Sequence, residues 1–258
     1  MTKIIHRTLF GEYDKVQRSI EFLKTFEPLA GYYLAFSGGK DSCVLKAVAD
    51  LAGVKYDAHY EMTGIDPPEL VQFIRTYHKD VQIHGGKRFF TELVKRGFPQ
   101  RQRRWCCEFL KESGGSGRRV LTGIRWEESN KRRHRKQVET CYKDSTKQYF
   151  NPIIDWTTKD IWKFIHENNI PYCKLYDKGK KRLGCLLCPL SSNRIKEAKE
   201  YPRYTNAFRL AFNRLYKRKV LVGQTKSISR WKNGDEMFDW WMNEKRTKHL
   251  PEQLVMFK

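Results

Sequence analysis

A chain of 258 residues with 40% hydrophobic and 14% aromatic side chains can build a sizeable core, which excludes a disordered polymer. No apolar run approaches the roughly 18 residues of a membrane span, and the start from Met1 to Arg7 has no apolar leader, so the expectation is a cytoplasmic protein with no membrane partner. The 51 Lys and Arg against 29 Asp and Glu leave a net charge of +22, a field that favours polyanions, either nucleic acid or a strongly anionic nucleotide.

The elements then alternate. Hydrophobic periodicity predicts a helix over Arg18–Thr25, a strand over Tyr32–Phe36, a helix over Cys43–Leu51 and a strand over Tyr56–Glu61. A helix over Pro68–His78, opened by Asp66 and two prolines, leads to a strand over Val81–His84 and a helix over Phe89–Arg96. Ser113 to Gly117 is a short flexible connection, and Val120–Ile124 is a further buried strand. This order implies α/β architecture, a Rossmann-like open and mainly parallel sheet flanked by helices. After about Gln148 the pattern becomes mainly helical, with Lys159–Glu167, one or two helices over Glu197–Lys219 and a Trp-rich one over Glu236–Asn243. The expected division is therefore 1–150 for a nucleotide-binding α/β domain and 151–258 for a helical C-terminal portion.

Between the strand ending at Phe36 and the helix beginning near Cys43 lies Ser37, Gly38, Gly39, Lys40, Asp41, Ser42. Glycines permit a tight turn and close approach to a ligand, and the free N–H groups opening a helix share their place with the positive end of its dipole, so the segment is a phosphate cradle. Ser37, Gly38, Gly39 and Ser42 supply backbone and hydroxyl donors, and Lys40 supplies charge. Asp41, a carboxylate in an anion-attracting loop, is the candidate for Mg2+. In an open parallel sheet the ligand crevice lies beyond the carboxyl ends of the strands, where this loop would meet Thr63, Gly64 and Asp66 from one strand end and Gly123 and Arg125 from another. Arg125, with Arg132 or Arg133 behind it, would neutralise polyphosphate charge.

Seven cysteines, an odd number in a chain without an export signal, argue against structural disulfides. The adjacent Cys106 and Cys107 together with Cys185 and Cys188, spaced as a Cys-x-x-Cys turn, offer four thiolates for zinc or an iron–sulfur cluster. Cys141 and Cys173 read as ordinary residues rather than catalytic thiols.

The hexapeptide from Ser37 to Ser42 resembles the pyrophosphate loop of the PP-loop ATP pyrophosphatase superfamily, whose fold is adenine nucleotide alpha hydrolase-like. The Cys-Cys pair followed by Cys-x-x-Cys, the segment Gly123 to Ser129 with Arg132, and the run from Pro152 through Asp177 to Gly184 and Cys185 resemble the phosphoadenosine phosphosulfate (PAPS) reductase family in its own order. That resemblance implies a [4Fe-4S] cluster on Cys106, Cys107, Cys185 and Cys188, and an adenine nucleotide in the loop with Lys40, Asp41 and Arg125 as catalytic residues. The chain departs from the reductases in one respect: no cysteine follows Cys188, and the reductases use a nucleophilic thiol near the C-terminus. In pattern it is similar to the PP-loop component of DNA phosphorothioation systems. The function so implied is ATP-driven adenylation for sulfur transfer onto nucleic acid, with a cysteine desulfurase or another sulfur donor as partner. ATP is placed in the loop ahead of PAPS or adenylyl sulfate (APS). The alternatives are a sulfonucleotide reductase releasing sulfite and, from another class, a non-catalytic nucleic-acid-binding regulator.

Overall fold

The structure, a computed structural model, describes residues 2–9, 11–85 and 89–243. The end of the expected C-terminal portion, 244–258, lies outside the described residues.

A short hairpin not foreseen from the sequence comes first: β1 (Ile5–Thr8) pairs antiparallel with β2 (Gly11–Asp14). Asp14 closes it and starts α1 (Lys15–Thr25), its Oδ1 accepting from the N–H of Val16 at 3.0 Å and from that of Ile4 at 3.0 Å. The alternation follows as β3 (Tyr32–Ala35), α2 (Lys40–Ala52), β4 (Tyr56–Glu61), α3 (Pro68–Tyr77), β5 (Gln82–His84), α4 (Phe89–Arg96) and α5 (Trp105–Lys111). Beyond it lie β6 (Arg119–Leu121), the single turn α6 (Asn130–Arg133), β7 (Val138–Thr140), β8 (Gln148–Phe150), α7 (Thr158–Glu167), α8 (Arg194–Glu200), α9 (Pro202–Leu221) and α10 (Gly234–Asn243). Among the described residues no helix is long and apolar enough to cross a membrane.

The main sheet has six strands in the order β5-β4-β3-β6-β8-β7, parallel throughout except for β7, which runs antiparallel to β8 at the edge. The mainly parallel, helix-flanked sheet expected from the alternation is thus what forms. The chain leaves β3 to build β4 and β5 on one side, then returns to build β6 on the other. The carboxyl ends of β3 and β6 therefore flank the point where strand order reverses, the place where open α/β sheets leave a crevice.

Alternation along the strands gives the sheet two unlike faces. Tyr32, Leu34, Ala58, Tyr60, Leu121 and Phe150 belong to one core cluster with side chains of α1, α2, α3 and α7. From α7, Ile161, Phe164 and Ile165 join that cluster, as do Ile153 and Trp156 just before it. These contacts move the boundary expected at 150/151. One compact unit comprises 1–87 and 106–185, and the other comprises 88–105 and 186–258. Burial of the α7 stripe ties residues after 150 to the sheet, a tertiary preference that composition does not reveal. In the second unit α4, α9 and α10 pack through aromatic rings, with Phe89 and Phe208 at 5.3 Å, Phe98 stacked on Phe212 at 5.3 Å and Phe212 against Trp241 at 5.2 Å. Trp241 donates its indole N–H to the Pro99 carbonyl at 2.7 Å, which satisfies the polar atom of a fully buried ring.

Candidate functional site

The chain turns from β3 into α2 through Gly38, whose φ of +70° lies in the left-handed region. A Cβ there would stand 2.7 Å from Leu70 Cδ1 and 2.8 Å from Ile74 Cδ1, so both the conformation and the close packing on α3 require glycine. Gly39 then caps α2 without a side-chain bond. Two serines brace the turn: Ser42 Oγ donates to the Gly39 carbonyl at 2.8 Å and accepts from the Ser37 N–H at 3.2 Å, with Ser37 Oγ 3.2 Å away. The Lys40 N–H, the first of the helix, donates to the hydroxyl of Tyr176 at 2.9 Å.

Beneath the turn lies a chain of charges. Lys40 Nζ reaches Asp41 Oδ2 at 3.0 Å, and Arg125 Nε reaches Asp41 Oδ1 at 2.7 Å, with Lys40 only 6% and Arg125 only 2% exposed. Arg125 is further held by Glu127 Oε2 at 3.1 Å, the Trp156 carbonyl at 3.0 Å and Thr158 Oγ1 at 3.3 Å. Guanidinium geometry suits such multiple acceptors, and burial without them would be costly. Gly123 lets the segment after β6 pass close to α2, since a Cβ there would lie 3.0 Å from the Asp41 carbonyl oxygen. The structure thus brings Lys40, Asp41 and Arg125 together across 84 positions of sequence.

Other expected residues are placed differently. Arg132 pairs with Glu128, whose Oε2 also accepts from the Arg125 N–H at 3.0 Å, so Arg132 reaches Arg125 through that carboxylate, while Arg133 is exposed and the Arg125 side chain pairs with the acid Glu127. Thr63 is fully buried, and its N–H and hydroxyl donate to Asp66 Oδ2 at 2.7 and 2.8 Å. Thr63 and Gly64, the latter with φ +79°, build the turn that leads into α3, while Asp66 faces the cavity described next. Both oxygens of Asp41, the Mg2+ candidate, are held by cations of the protein, so it organises Lys40 and Arg125. As paired, it does not offer a hard cation the free carboxylate it needs.

The second face of the sheet carries a cavity of about 580 Å³. Tyr33, Ala35, His59, Glu61, Val120, Thr122 and Tyr149 line it from the strands and their ends, and Ser37 brings the loop to its wall. Its floor is polar. Tyr33 stacks on His59 at 4.0 Å and 4°; His59 lies between Asp57 and His84, the latter at 2.7 Å; and Arg118 holds Asp57. Burial, with Glu61 and Asp57 adding to it, pushes the Tyr33 phenol up to about 12. Lys111, Lys131, Arg135, Lys143 and Lys147 also line the cavity. At the end near β7, burial works to raise the Cys141 thiol. The N–H groups of Lys143 and Asp144, the Tyr149 hydroxyl and the Lys147 charge outweigh it and hold the pKa below the ordinary value. Cys173, in contrast, is buried and pushed up by that burial.

None of the seven cysteines is in a disulfide. Cys106, Cys107 and Cys185 belong to the first unit and Cys188 to the second. Cys185 Sγ lies 3.6 Å from Thr63 Oγ1, with the exposed Lys111 beside it. Among the described residues no three His, Cys, Asp or Glu side chains are gathered as a metal-holding group. The donor chemistry of four thiolates suits a cluster.

Sequence reading missed Tyr176, Lys111 and the polar face around His59. Tyr176 lies 136 positions from the N–H it binds, and no spacing rule connects the two.

Residues 31–191 match the family model described as Phosphoadenosine phosphosulfate reductase domain. An uncharacterised protein of Methanocaldococcus jannaschii is 31% identical over 188 residues, 67% of this chain and 45% of that protein. The adenosine 5'-phosphosulfate reductase of Oceanobacillus iheyensis is 28% identical over 159 residues, 54% of this chain and 60% of that enzyme. The chain spans about half the length of the curated relatives it first matches. Among solved structures, the phosphoadenylyl-sulfate reductase of Candida auris, in a phosphate complex, gives a TM-score of 0.48 at 20% identity, covering 66% of this chain and 87% of that one.

Proposed function

Because the chain belongs to the phosphoadenosine phosphosulfate reductase domain family, we propose that it is an enzyme that binds an adenine nucleotide, phosphates on the Ser37 to Ser42 loop, and uses ATP pyrophosphatase chemistry for sulfur transfer. The observation that carries this reading is the loop's construction: a glycine-shaped helix N-terminus at the strand-order reversal, backed by the Lys40, Asp41 and Arg125 charges. In the proposed reaction an acceptor oxygen attacks the α-phosphorus of ATP; a P–O bond to the acceptor forms and the bond to the leaving pyrophosphate breaks. A reduced sulfur nucleophile then displaces AMP, which leaves with the acceptor's oxygen. The backbone of the loop from Ser37 to Ser42 holds the pyrophosphate, and Lys40 offsets the charge that develops on it. Arg125, occupied by protein acceptors, acts through Asp41 as a positioning residue.

The acceptor is proposed to be nucleic acid, supported by the +22 charge and by the lysines on the cavity wall. A [4Fe-4S] cluster on Cys106, Cys107, Cys185 and Cys188 is proposed on the sequence pattern; iron and acid-labile sulfide in anaerobically purified protein support it, and zinc or no metal overturns it. A second reading, reduction of a sulfonucleotide with release of sulfite, is favoured by the name of the Oceanobacillus relative. One assay separates the two. Protein is incubated with ATP, Mg2+, sulfide and single-stranded DNA or RNA, and in parallel with APS or PAPS and a thiol reductant. Pyrophosphate from the first supports adenylation, sulfite from the second supports reduction, and neither product removes the enzymatic reading.

A further inference from the structure

Tyr176 comes to the phosphate loop from outside it, on the turn where its N–H donates to the Cys173 carbonyl at 3.1 Å. Two contacts hold it at the start of α2. The hydroxyl oxygen accepts from the Lys40 N–H at 2.9 Å, and the ring lies under the Lys40 ammonium, its centroid 5.7 Å from Nζ. The ring is fixed independently of that hydroxyl, edge-on to Trp162 at 5.3 Å and against Tyr172 at 6.5 Å, and it packs on the buried core.

The chemistry of this hydroxyl follows from what it already does. A phenol that accepts from an N–H still carries one hydrogen to donate. Burial, with Asp41 adding to it, raises the phenol's pKa above its ordinary value although the Lys40 N–H pulls the other way, so the group is neutral and keeps that hydrogen. The Lys40 N–H is the donor that opens a 13-residue helix, where an anion is favoured.

We propose that Tyr176 is a phosphate ligand of this site, its hydroxyl accepting from the Lys40 N–H and donating its own hydrogen to an anionic oxygen of the bound nucleotide. This rests on the reading of the Ser37 to Ser42 loop as a phosphate cradle and adds to it a donor that the loop sequence does not contain. The loop's hydroxyls are turned inward, Ser42 to the Gly39 carbonyl and Ser37 to Ser42, so a donor from a separate segment supplies what they do not.

The test is Tyr176→Phe, which removes the hydroxyl and keeps the ring against Trp162. Calorimetric titration with inorganic pyrophosphate and with ATP, both with Mg2+, compares the variant with the unaltered chain, and the thermal midpoint of each is recorded. The expected result is about ten-fold weaker binding of both ligands, the loss of one hydrogen bond to a charged acceptor, at an unchanged midpoint. Equal or tighter binding by the variant overturns the proposal, because the hydroxyl would then be a spectator or a competitor for the Lys40 N–H. A fall in midpoint alongside the affinity overturns it too, by making Tyr176 a brace of the loop rather than a ligand. If the unaltered chain binds neither pyrophosphate nor ATP, it is the phosphate-cradle reading itself that fails.

Discussion

The two faces of the one sheet are built from alternating residues of the same strands and have opposite chemistry. On β3, Leu34 is fully buried among helices, whereas its neighbour Tyr33 turns to the cavity and stacks on His59. On β4, Ala58 enters the core while His59 and Glu61 line the cavity. The difference shows where this fold keeps its stability and where it leaves room for chemistry. Removing a side chain from the packed face forfeits apolar burial, whereas removing one from the cavity face changes what the cavity can hold. The loop from Ser37 to Ser42 stands where the faces meet, continuing β3 and opening a helix of the packed layer.

The sharpest way to break this division is Arg125→Ala. It sits at the junction, and its loss leaves Asp41 and Glu127 without their guanidinium. A cost of about 3–5 kcal/mol in chemical unfolding is expected together with loss of nucleotide binding; a loss of binding with no change in stability would separate the two roles. Leu34→Ala tests the packed face alone. It should cost about 2–5 kcal/mol, as a buried leucine does, and leave nucleotide affinity per folded molecule unchanged.

A third test uses pH. His78 is buried beneath the loop, 3.9 Å from Cys43 Sγ and against the rings of Phe36 and Phe73. Burial, with the Lys46 charge adding to it, lowers its pKa from 6.5 to about 4. A depressed folded-state pKa means that the unfolded chain takes up the proton first as pH falls. The stability contribution is therefore complete above pH 6.5 and is lost as pH drops toward 4, by at most roughly 3 kcal/mol. Denaturant melts of His78→Asn should show a flatter profile across that window than those of the unaltered chain; an identical slope would remove His78 as its source. The smallest effect is expected on the cavity face. Lys131→Ala should change stability by no more than about 0.5 kcal/mol, since the residue is exposed, yet weaken binding of single-stranded nucleic acid and lower the salt dependence by about one counterion. A stability loss comparable to that of Leu34→Ala would abolish the distinction between the faces.

What could be read in the sequence was whatever is local. Strand β4 and helix α4 lie at the residues their periodicity predicts, and the loop at Ser37 was visible because glycines, strand and helix are contiguous. The short β7 and β8 were not visible: each has three residues, and Val138, Glu139, Thr140 offer one apolar side chain to a pattern that needs several. The hairpin of β1 and β2, four residues a strand, was missed for the same reason, and the seven residues of α5 span too few turns for a helical period to show. At the site, Asp41 could be singled out but not its partners. The pairing of Arg125 with Asp41, the occupation of both carboxylate oxygens and the approach of Tyr176 to Lys40 all arise from sheet closure over long separations. The attachment of α7 to the sheet rather than to the later helices is of the same kind: an amphipathic stripe shows that a helix buries one face, not what it buries it against.

The central claim, that the Ser37 to Ser42 loop receives the pyrophosphate end of an adenine nucleotide, is tested most directly by competition. ATP is titrated into the chain with Mg2+ present, alone and with inorganic pyrophosphate at increasing concentration. The account predicts saturable ATP binding whose apparent affinity falls in proportion to the pyrophosphate added; ATP binding indifferent to pyrophosphate, or no binding at all, would contradict it.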